Sequence, residues 1–400
     1  MDDMKNPHDA TAIPAERRLE GYIDGLLAGE ERTALYRRYQ ETFRTSTPEA
    51  VFEAFYVQLK KGRSAEELLA VLSKVIKLLA AHMPAFDRSG LEKDSFLALL
   101  IRENEELTGR LDRFKDVIVA KGTDEALGEA AALAEGLLTY ELHLVKKENI
   151  LFPMMEKKKE CYEGLAIMWA LHDEIRACLK ESVLLFGDVD GDLTAKTAML
   201  GRIYFLLYGL VEKENLLLFP AASVLLTQTE QETMKRQARE IGFAFGIVPE
   251  IPEASPATEA QTPGNGMYYT SPTGTLTFEQ LTGILNHLPV DISFVDENNR
   301  LTYFNAPKER IFPRSPASIG RNVRNCHPPK SVDTVDRIIE AFRNNTRDSA
   351  TFWIRMKGRL ILIEYYAVRD AEGVYRGVLE ASRDVTDIQS LSGEKRLLDF

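Results

Sequence analysis

Cysteine is scarce in this chain. Cys161, Cys178 and Cys326 are the only three, and they lie far apart. Such spacing excludes a disulfide framework and a zinc-like pair, and fits a reducing cytoplasm. Long apolar runs are missing too: none approaches the roughly 20 residues of a membrane span. Met1 to Ala15 lacks the apolar core of a secretory signal. Positive charge is in deficit, with a net charge of −11, which speaks against a general nucleic-acid surface. The chain has no phosphate-binding glycine loop, no nucleotide-fingerprint glycines, no Ser-His-Asp order and no kinase ATP-binding block. These absences point away from an enzyme. They point towards a cytoplasmic protein that meets a small molecule or a protein partner.

What is present begins with an internal echo. Val145-Lys146-Lys147-Glu148-Asn149-Ile150-Leu151-Phe152-Pro153 returns as Val211-Glu212-Lys213-Glu214-Asn215-Leu216-Leu217-Leu218-Phe219-Pro220. Each copy closes an apolar stretch that reads as a helix. Two helices with one ending suggest a bundle built from related helix pairs, a common host for metals. His143 precedes the first copy, and Gly209 stands in its place before the second.

At 400 residues the chain exceeds one ordinary core, so two or three domains are expected. Residues 16–86 read as short helices. Thr47-Pro48 looks like a cap with proline in the first turn, and Ser64 to Glu67 fits a capping box. Residues 91–231 hold four long helical patterns, near 94–119, 124–152, 162–186 and 193–219. Gly122 and the stretch from Gly187 to Gly191 supply turns, which predicts an up-down four-helix bundle. Residues 247–273 hold Pro249, Pro252, Pro256, Pro263 and Pro272 and read as a linker. Residues 276–388 alternate strands with helices. Ile292 to Val295, Leu301 to Phe304, Phe352 to Ile354, Ile361 to Tyr366 and Val374 to Ser382 predict a five-stranded antiparallel sheet. The stripe Val332, Val335, Ile338, Ile339, Phe342 predicts one covering helix. Together these make an α+β domain after an all-α part. Residues 389–400 form a tail.

The order of these pieces resembles a bacterial arrangement: a small helical domain of unknown function (DUF438), a hemerythrin-like HHE cation-binding bundle, and a PAS sensor domain. In the bundle the resemblance is carried by Arg102-Glu103-Asn104, His143 with the first Lys-Glu-Asn and Leu-Phe-Pro, Met168-Trp169 with His172-Asp173-Glu174-Ile175-Arg176, and the second copy of the echo. In the sensor domain it is carried by Gly320-Arg321-Asn322-Val323, Cys326-His327-Pro328-Pro329-Lys330-Ser331-Val332, Tyr365 to Asp370, and the tail from Gly393 to Asp399.

The resemblance implies a di-iron site with histidine from each of four helices and bridging carboxylates. Only His143 and His172 remain, joined by Glu103, Glu148 and Glu214 as candidate metal ligands. No histidine lies between Met83 and Leu142, so the first helix lacks its ligand near Ser95 or Phe96. The fourth helix lacks its own. Four residues after His143 comes Lys147. Glu148 is five on, roughly 140° around a straight helix. The site is therefore expected to be degenerate. Lys147 or Lys213 then places an ammonium where a metal once balanced the carboxylates, or else snorkels to solvent.

A PAS fold encloses a small cavity. His327, just before the helical stripe, is a candidate haem or ligand contact, with Cys326, Tyr303, Trp353 and Tyr365 beside it. Cys326 to Pro329 also reads as a rigid turn with Ser331 as a helix cap. Lys308, Arg310, Arg314, Arg321, Arg324 and Lys330 read as a solvated loop or an anion site. The functional expectation is a sensory or regulatory protein. Its PAS-like domain takes a small ligand or cofactor, and a helical bundle passes the signal to an unknown protein partner, in a homodimer by resemblance. An iron protein handling oxygen, nitric oxide or iron-centre repair, and a haem sensor, are the alternatives.

Overall fold

The computed structural model describes residues 15–119, 124–188, 192–249 and 268–394. The turn at Gly122, most of the expected linker and residues 395–399 of the tail motif lie outside the described residues. The chain divides into two units, residues 1–251 and 252–400.

The first unit is helical. It opens with α1 (Ala15–Leu27), α2 (Arg32–Thr45), α3 (Pro48–Lys60) and α4 (Ala65–Ala80). Thr47 caps α3 by accepting from the Ala50 amide at 3.2 Å, and Pro48 sits in the first turn, where an amide would be unpaired anyway. Ser64 caps α4 by accepting from the Glu67 amide at 3.1 Å. These helices share one core with the bundle: Leu19, Phe43, Phe55 and Leu79 belong to the same buried cluster as Leu100, Phe114, Leu165 and Leu210.

The long patterns become α5 (Phe96–Val119), α6 (Asp124–Leu137), α7 (Glu141–Lys146), α8 (Phe152–Lys158), α9 (Ala166–Gly187), α10 (Leu193–Lys213) and α11 (Phe219–Leu225). The echo was expected to close its helices, and it does not. Lys147–Leu151 and Glu214–Leu218 are π-helical turns through which α7 runs into α8, and α10 into α11. The Phe152 amide donates to the Lys147 carbonyl and the Phe219 amide to the Glu214 carbonyl, five residues back. Pro153 and Pro220 come directly after. Proline lacks an N–H and its ring collides with the turn before it. A wide turn that has already left the α ladder accommodates it, so the rod continues.

A further helix, α12 (Gln228–Ile241), passes the expected bundle end and packs on α5 and α7. It opens on a capping box between Thr227 and Glu230. Gly242, at φ 92°, ends it. The short turn Ala244–Gly246 lies just beyond.

The second unit begins with a hairpin, β1 (Tyr268–Ser271) and β2 (Gly274–Thr277), in part of the stretch expected as linker. Helix α13 (Phe278–His287) precedes β3 (Asp291–Asp296) and β4 (Leu301–Phe304). Helix α14 (Pro329–Arg343), β5 (Ser349–Met356), β6 (Arg359–Arg369), β7 (Tyr375–Asp384) and α15 (Thr386–Gln389) complete it. The sheet is antiparallel with order β4-β3-β7-β6-β5. Val295, Leu301, Val323, Ile339, Phe342 and Val378 form the core between sheet and α14. Gly377 is required on β7: a Cβ there would meet the Val295 carbonyl oxygen at 2.1 Å. Ser331 does not cap α14. Pro328 holds the cap position with Pro329 in the first turn, and the Ser331 hydroxyl donates to the Pro328 carbonyl at 3.0 Å.

Candidate functional site

Helices α5, α7, α9 and the two π turns aim charged side chains at the bundle centre. Glu103, His143, Lys146, Lys147, Glu148, His172 and Glu214 are all buried. His143 lies between two carboxylates, with Nδ1 2.8 Å from Glu103 Oε2 and Nε2 3.2 Å from Glu214 Oε2. Its ring stacks on Tyr140 at 4.6 Å. The Tyr140 hydroxyl donates to Asn104 Oδ1 at 2.6 Å, and Asn104 Nδ2 donates to Glu214 Oε2 at 2.6 Å. Lys146 donates to Glu103 Oε1 at 2.8 Å and to the Gly242 carbonyl at 2.7 Å. The Ala244 amide donates to the same Glu103 oxygen at 2.7 Å, so the segment after α12 seals this end.

Lys147 sits in the middle. Its ammonium donates to Glu214 Oε1 and lies 3.0 Å from His172 Nε2. On the far side His172 Nδ1 is 2.8 Å from Glu148 Oε1. Arg176 grips Glu148 with two bonds of 2.9 and 2.8 Å, and Glu141 with two of 3.0 Å. The extra residue in the π turn explains why Lys147 and Glu148, neighbours in sequence, both turn inward.

The charges close on themselves. Glu103 pairs with Lys146, Glu214 with Lys147 and Glu148 with Arg176. Burial pushes the Glu214 carboxyl up, but Lys147 and His143 outweigh it and hold the group well below the usual range. Glu103 is lowered on balance in the same way, by His143 and Lys146 against burial. Burial, then Lys147 and Arg176, push the His172 imidazole far below its ordinary value, so it is neutral. A neutral ring that donates from Nδ1 to Glu148 offers its Nε2 lone pair to Lys147. That lone pair is the one a metal would need.

A hemerythrin-type di-iron centre therefore does not fit the residues present. The ammonium of Lys147 stands among the donors, and two of the four histidine positions are filled otherwise. Among the described residues no group of three or more His, Cys, Asp or Glu side chains is disposed to hold a metal ion. The bundle does bring all five expected ligands, Glu103, Glu148, His143, His172 and Glu214, into one network. Lys213, the echo of Lys147, is turned elsewhere and donates to the Gly209 carbonyl at 3.1 Å. Sequence reasoning missed Lys146, Tyr140 and the seal at Gly242 and Ala244. The doubled lysine before Glu148 was the available signal for the first.

The second unit holds a different kind of site. Between α14 and the sheet lies a narrow cavity: about 480 Å³ of space lies free of atoms when its open mouth is counted, and the centre of a water-sized molecule can reach about 30 Å³. Val295, Leu301, Val323, Val335, Ile338, Ile339 and Val378 make most of its wall, and Ser293, Arg314, Cys326, His327, Tyr365 and Glu380 supply polar groups. His327 enters from the helix side, as expected. Burial and then Arg314 push its imidazole down to about 4, so it too is neutral. Arg314 lies 3.5 Å from Glu380, while its buried Nε has no partner among the described residues. Arg310 is 3.7 Å from Asp291. These two arginines are thus held in ion pairs rather than in a solvated loop. Tyr303 and Trp353 do not line the cavity. Tyr303 pairs across from Phe294, on the face opposite Ser293 and Val295, and Trp353 is 67% exposed on β5.

Residues 95–242 match the family model of the hemerythrin HHE cation binding domain, and residues 281–386 match that of a PAS domain. The chain belongs to the proteins that join these two modules. A crystal structure described as a C-terminal domain from Streptococcus mutans is 37% identical, covering 32% of this chain and 98% of its own, with a TM-score of 0.30. The PAS domain of a protein from Colwellia psychrerythraea is 22% identical over 27% of this chain and 97% of its own, with a TM-score of 0.23. A sensory box sensor histidine kinase from Vibrio cholerae is 19% identical over 26% and 89%, with a TM-score of 0.21. No curated protein matches the chain. Among the described residues no helix is long and apolar enough to cross a membrane.

Proposed function

We propose that this chain is a cytoplasmic sensory protein, without catalysis of its own, whose PAS cavity takes a small molecule and whose helical unit is read by a protein partner. The observation that carries the reading is the cavity between α14 and the sheet, aliphatic over most of its wall and polar at one end. Its charges are already paired, Arg314 with Glu380, and His327 is neutral. A ligand bringing net charge would enter uncompensated, which is costly in a buried site. The cavity therefore favours an uncharged molecule with an aliphatic body and a polar head facing His327, Tyr365 and Arg314. Binding shifts the population of the PAS unit by the difference in affinity between its states, and the partner reads that shift. The iron-protein alternative is opposed by the pairing of the bundle carboxylates with Lys146, Lys147 and Arg176.

The test is a thermal-shift screen of the full chain with short aliphatic amides, alcohols and carboxylates, repeated on Val335→Phe, which fills the cavity. A ligand of the folded state raises the melting temperature. An uncharged compound should do so, and Val335→Phe should abolish the shift. An equal shift in Val335→Phe would move binding outside the cavity. A Soret band in the purified protein that His327→Ala removes would replace the reading with a haem sensor.

A further inference from the structure

The helical unit holds a cleft of its own, bordered by α4, α9 and α10 and separate from the Lys147 network. About 510 Å³ of space lies free of atoms when its open mouth is counted, and the centre of a water-sized molecule can reach about 220 Å³. Leu69, Leu171, Leu206 and Phe205 give it an apolar wall, and Phe205 is 77% exposed. Lys213 belongs to the same wall and is only 5% exposed. A buried ammonium is ordinarily matched by a carboxylate. Lys213 donates instead to the Gly209 carbonyl at 3.1 Å, and among the described residues no carboxylate is close enough to pair with it. We propose that this cleft binds an apolar α-amino acid: its carboxylate on the Lys213 ammonium, its amino group facing Glu66, Ser73 and Glu174, and its side chain on the apolar wall.

Each part of such a ligand answers something the cleft lacks. Burial lowers the Lys213 ammonium from its usual value, against the pull of Glu212 and Glu174. An entering carboxylate supplies the missing counter-charge. Glu66, Leu69, Ala70 and Ser73 share one face of α4, and Leu171 and Glu174 share one face of α9, by their spacing of three, four and seven residues. Glu66 and Glu174 are exposed and carry the opposite sign to Lys213. They repel a plain carboxylate or a dicarboxylate and attract an amino group. The Ser73 hydroxyl donates to the Leu69 carbonyl at 3.1 Å, which leaves its oxygen as an acceptor. A zwitterion satisfies both ends of the cleft and adds no net charge. Its apolar side chain covers the Phe205 ring, which otherwise meets water.

L-leucine and L-phenylalanine are the probes, titrated into the full chain and followed by calorimetry. At least one should bind saturably at one site per chain. 4-Methylpentanoate, which lacks the amino group, and isopentylamine, which lacks the carboxylate, should bind at least about tenfold more weakly than L-leucine. Lys213→Met keeps the apolar stem and removes the charge, and should weaken binding about ten- to hundredfold, the value of a charge-assisted hydrogen bond. Ala70→Trp, on the exposed face of α4, fills the cleft and should abolish binding whether or not Lys213→Met folds. Val335→Phe, in the PAS cavity, should leave it unchanged, so this result is separable from the fate of the PAS reading. No saturable binding of either amino acid at about 10 mM would overturn the proposal. So would native binding in folded Lys213→Met or Ala70→Trp, or equal binding of 4-methylpentanoate. Loss of binding in Val335→Phe would overturn it too, by placing the ligand in the PAS unit.

Discussion

The two units each bury histidine beside charged residues, and they use them in opposite ways. In the bundle the donors and acceptors around His143 and His172 are spent on one another, and Lys147 fills the centre. In the PAS unit His327, Tyr365 and Arg314 border empty space, and the Arg314 Nε has no partner among the described residues. Perturbed groups alone thus do not mark a ligand site. The bundle centre is as perturbed as the cavity, but it is closed. Charge is paired in both; the difference lies in whether hydrogen bonding is complete and the space is filled.

The largest expected effect tests that closure. Glu214→Ala leaves Lys147 buried without its carboxylate, and breaking such a pair costs about 3–5 kcal/mol. Urea denaturation followed by far-UV circular dichroism should show it. A loss below about 1 kcal/mol, the value of a surface pair, would break the comparison.

Acid gives the next effect. His327 is lowered from 6.5 to about 4 in the folded PAS unit. Between those values the unfolded chain binds a proton that the folded unit refuses. Stability therefore falls as pH drops from about 6.5 to 4, by roughly 3 kcal/mol at most. His172 pulls the helical unit the same way, so the two transitions must be resolved by calorimetry. His327→Gln should flatten the fall in the PAS transition alone, and an unchanged fall would show that His327 is not the group.

Gly209 sharpens the contrast between the two copies of the echo. It stands where His143 stands in the first, and a Cβ there would meet the Lys213 ammonium at an ordinary 3.5 Å. Gly209→Ala should stabilise the helical unit by about 0.5–1 kcal/mol through helix propensity. A clear destabilisation would mean the second copy needs that space. The smallest effect belongs to Trp353→Ala, which should leave any ligand-induced melting shift unaltered, since the ring faces solvent on β5.

Much of this was legible in the sequence. Apolar periodicity marked the long helices, alternation marked the five strands, and Thr47 and Ser64 cap their helices, although the Glu67 carboxylate accepts from Arg63 instead of completing the box expected with Ser64. The echo stood out, but its meaning did not. A Leu-Phe-Pro ending reads as a stop, and only packing shows that a π turn carries each helix past its proline. That turn also changes the helical phase, so a straight-helix count put Glu148 off the face where it is found. The β1–β2 hairpin was hidden because Pro272 and its neighbours share the linker's composition. Tyr303 and Trp353 were assigned to the cavity because the facing of a strand cannot be read from its residues alone. A bulge between Phe294 and Val295 shifts it further.

The most direct test of the account is the iron content and absorption spectrum of the full chain, purified anaerobically from an iron-replete host. With Glu103, Glu148 and Glu214 matched by Lys146, Arg176 and Lys147, no stoichiometric iron should be present. About two irons per chain, with the absorption of a carboxylate- and histidine-ligated pair, would contradict it and make the bundle a working metal centre.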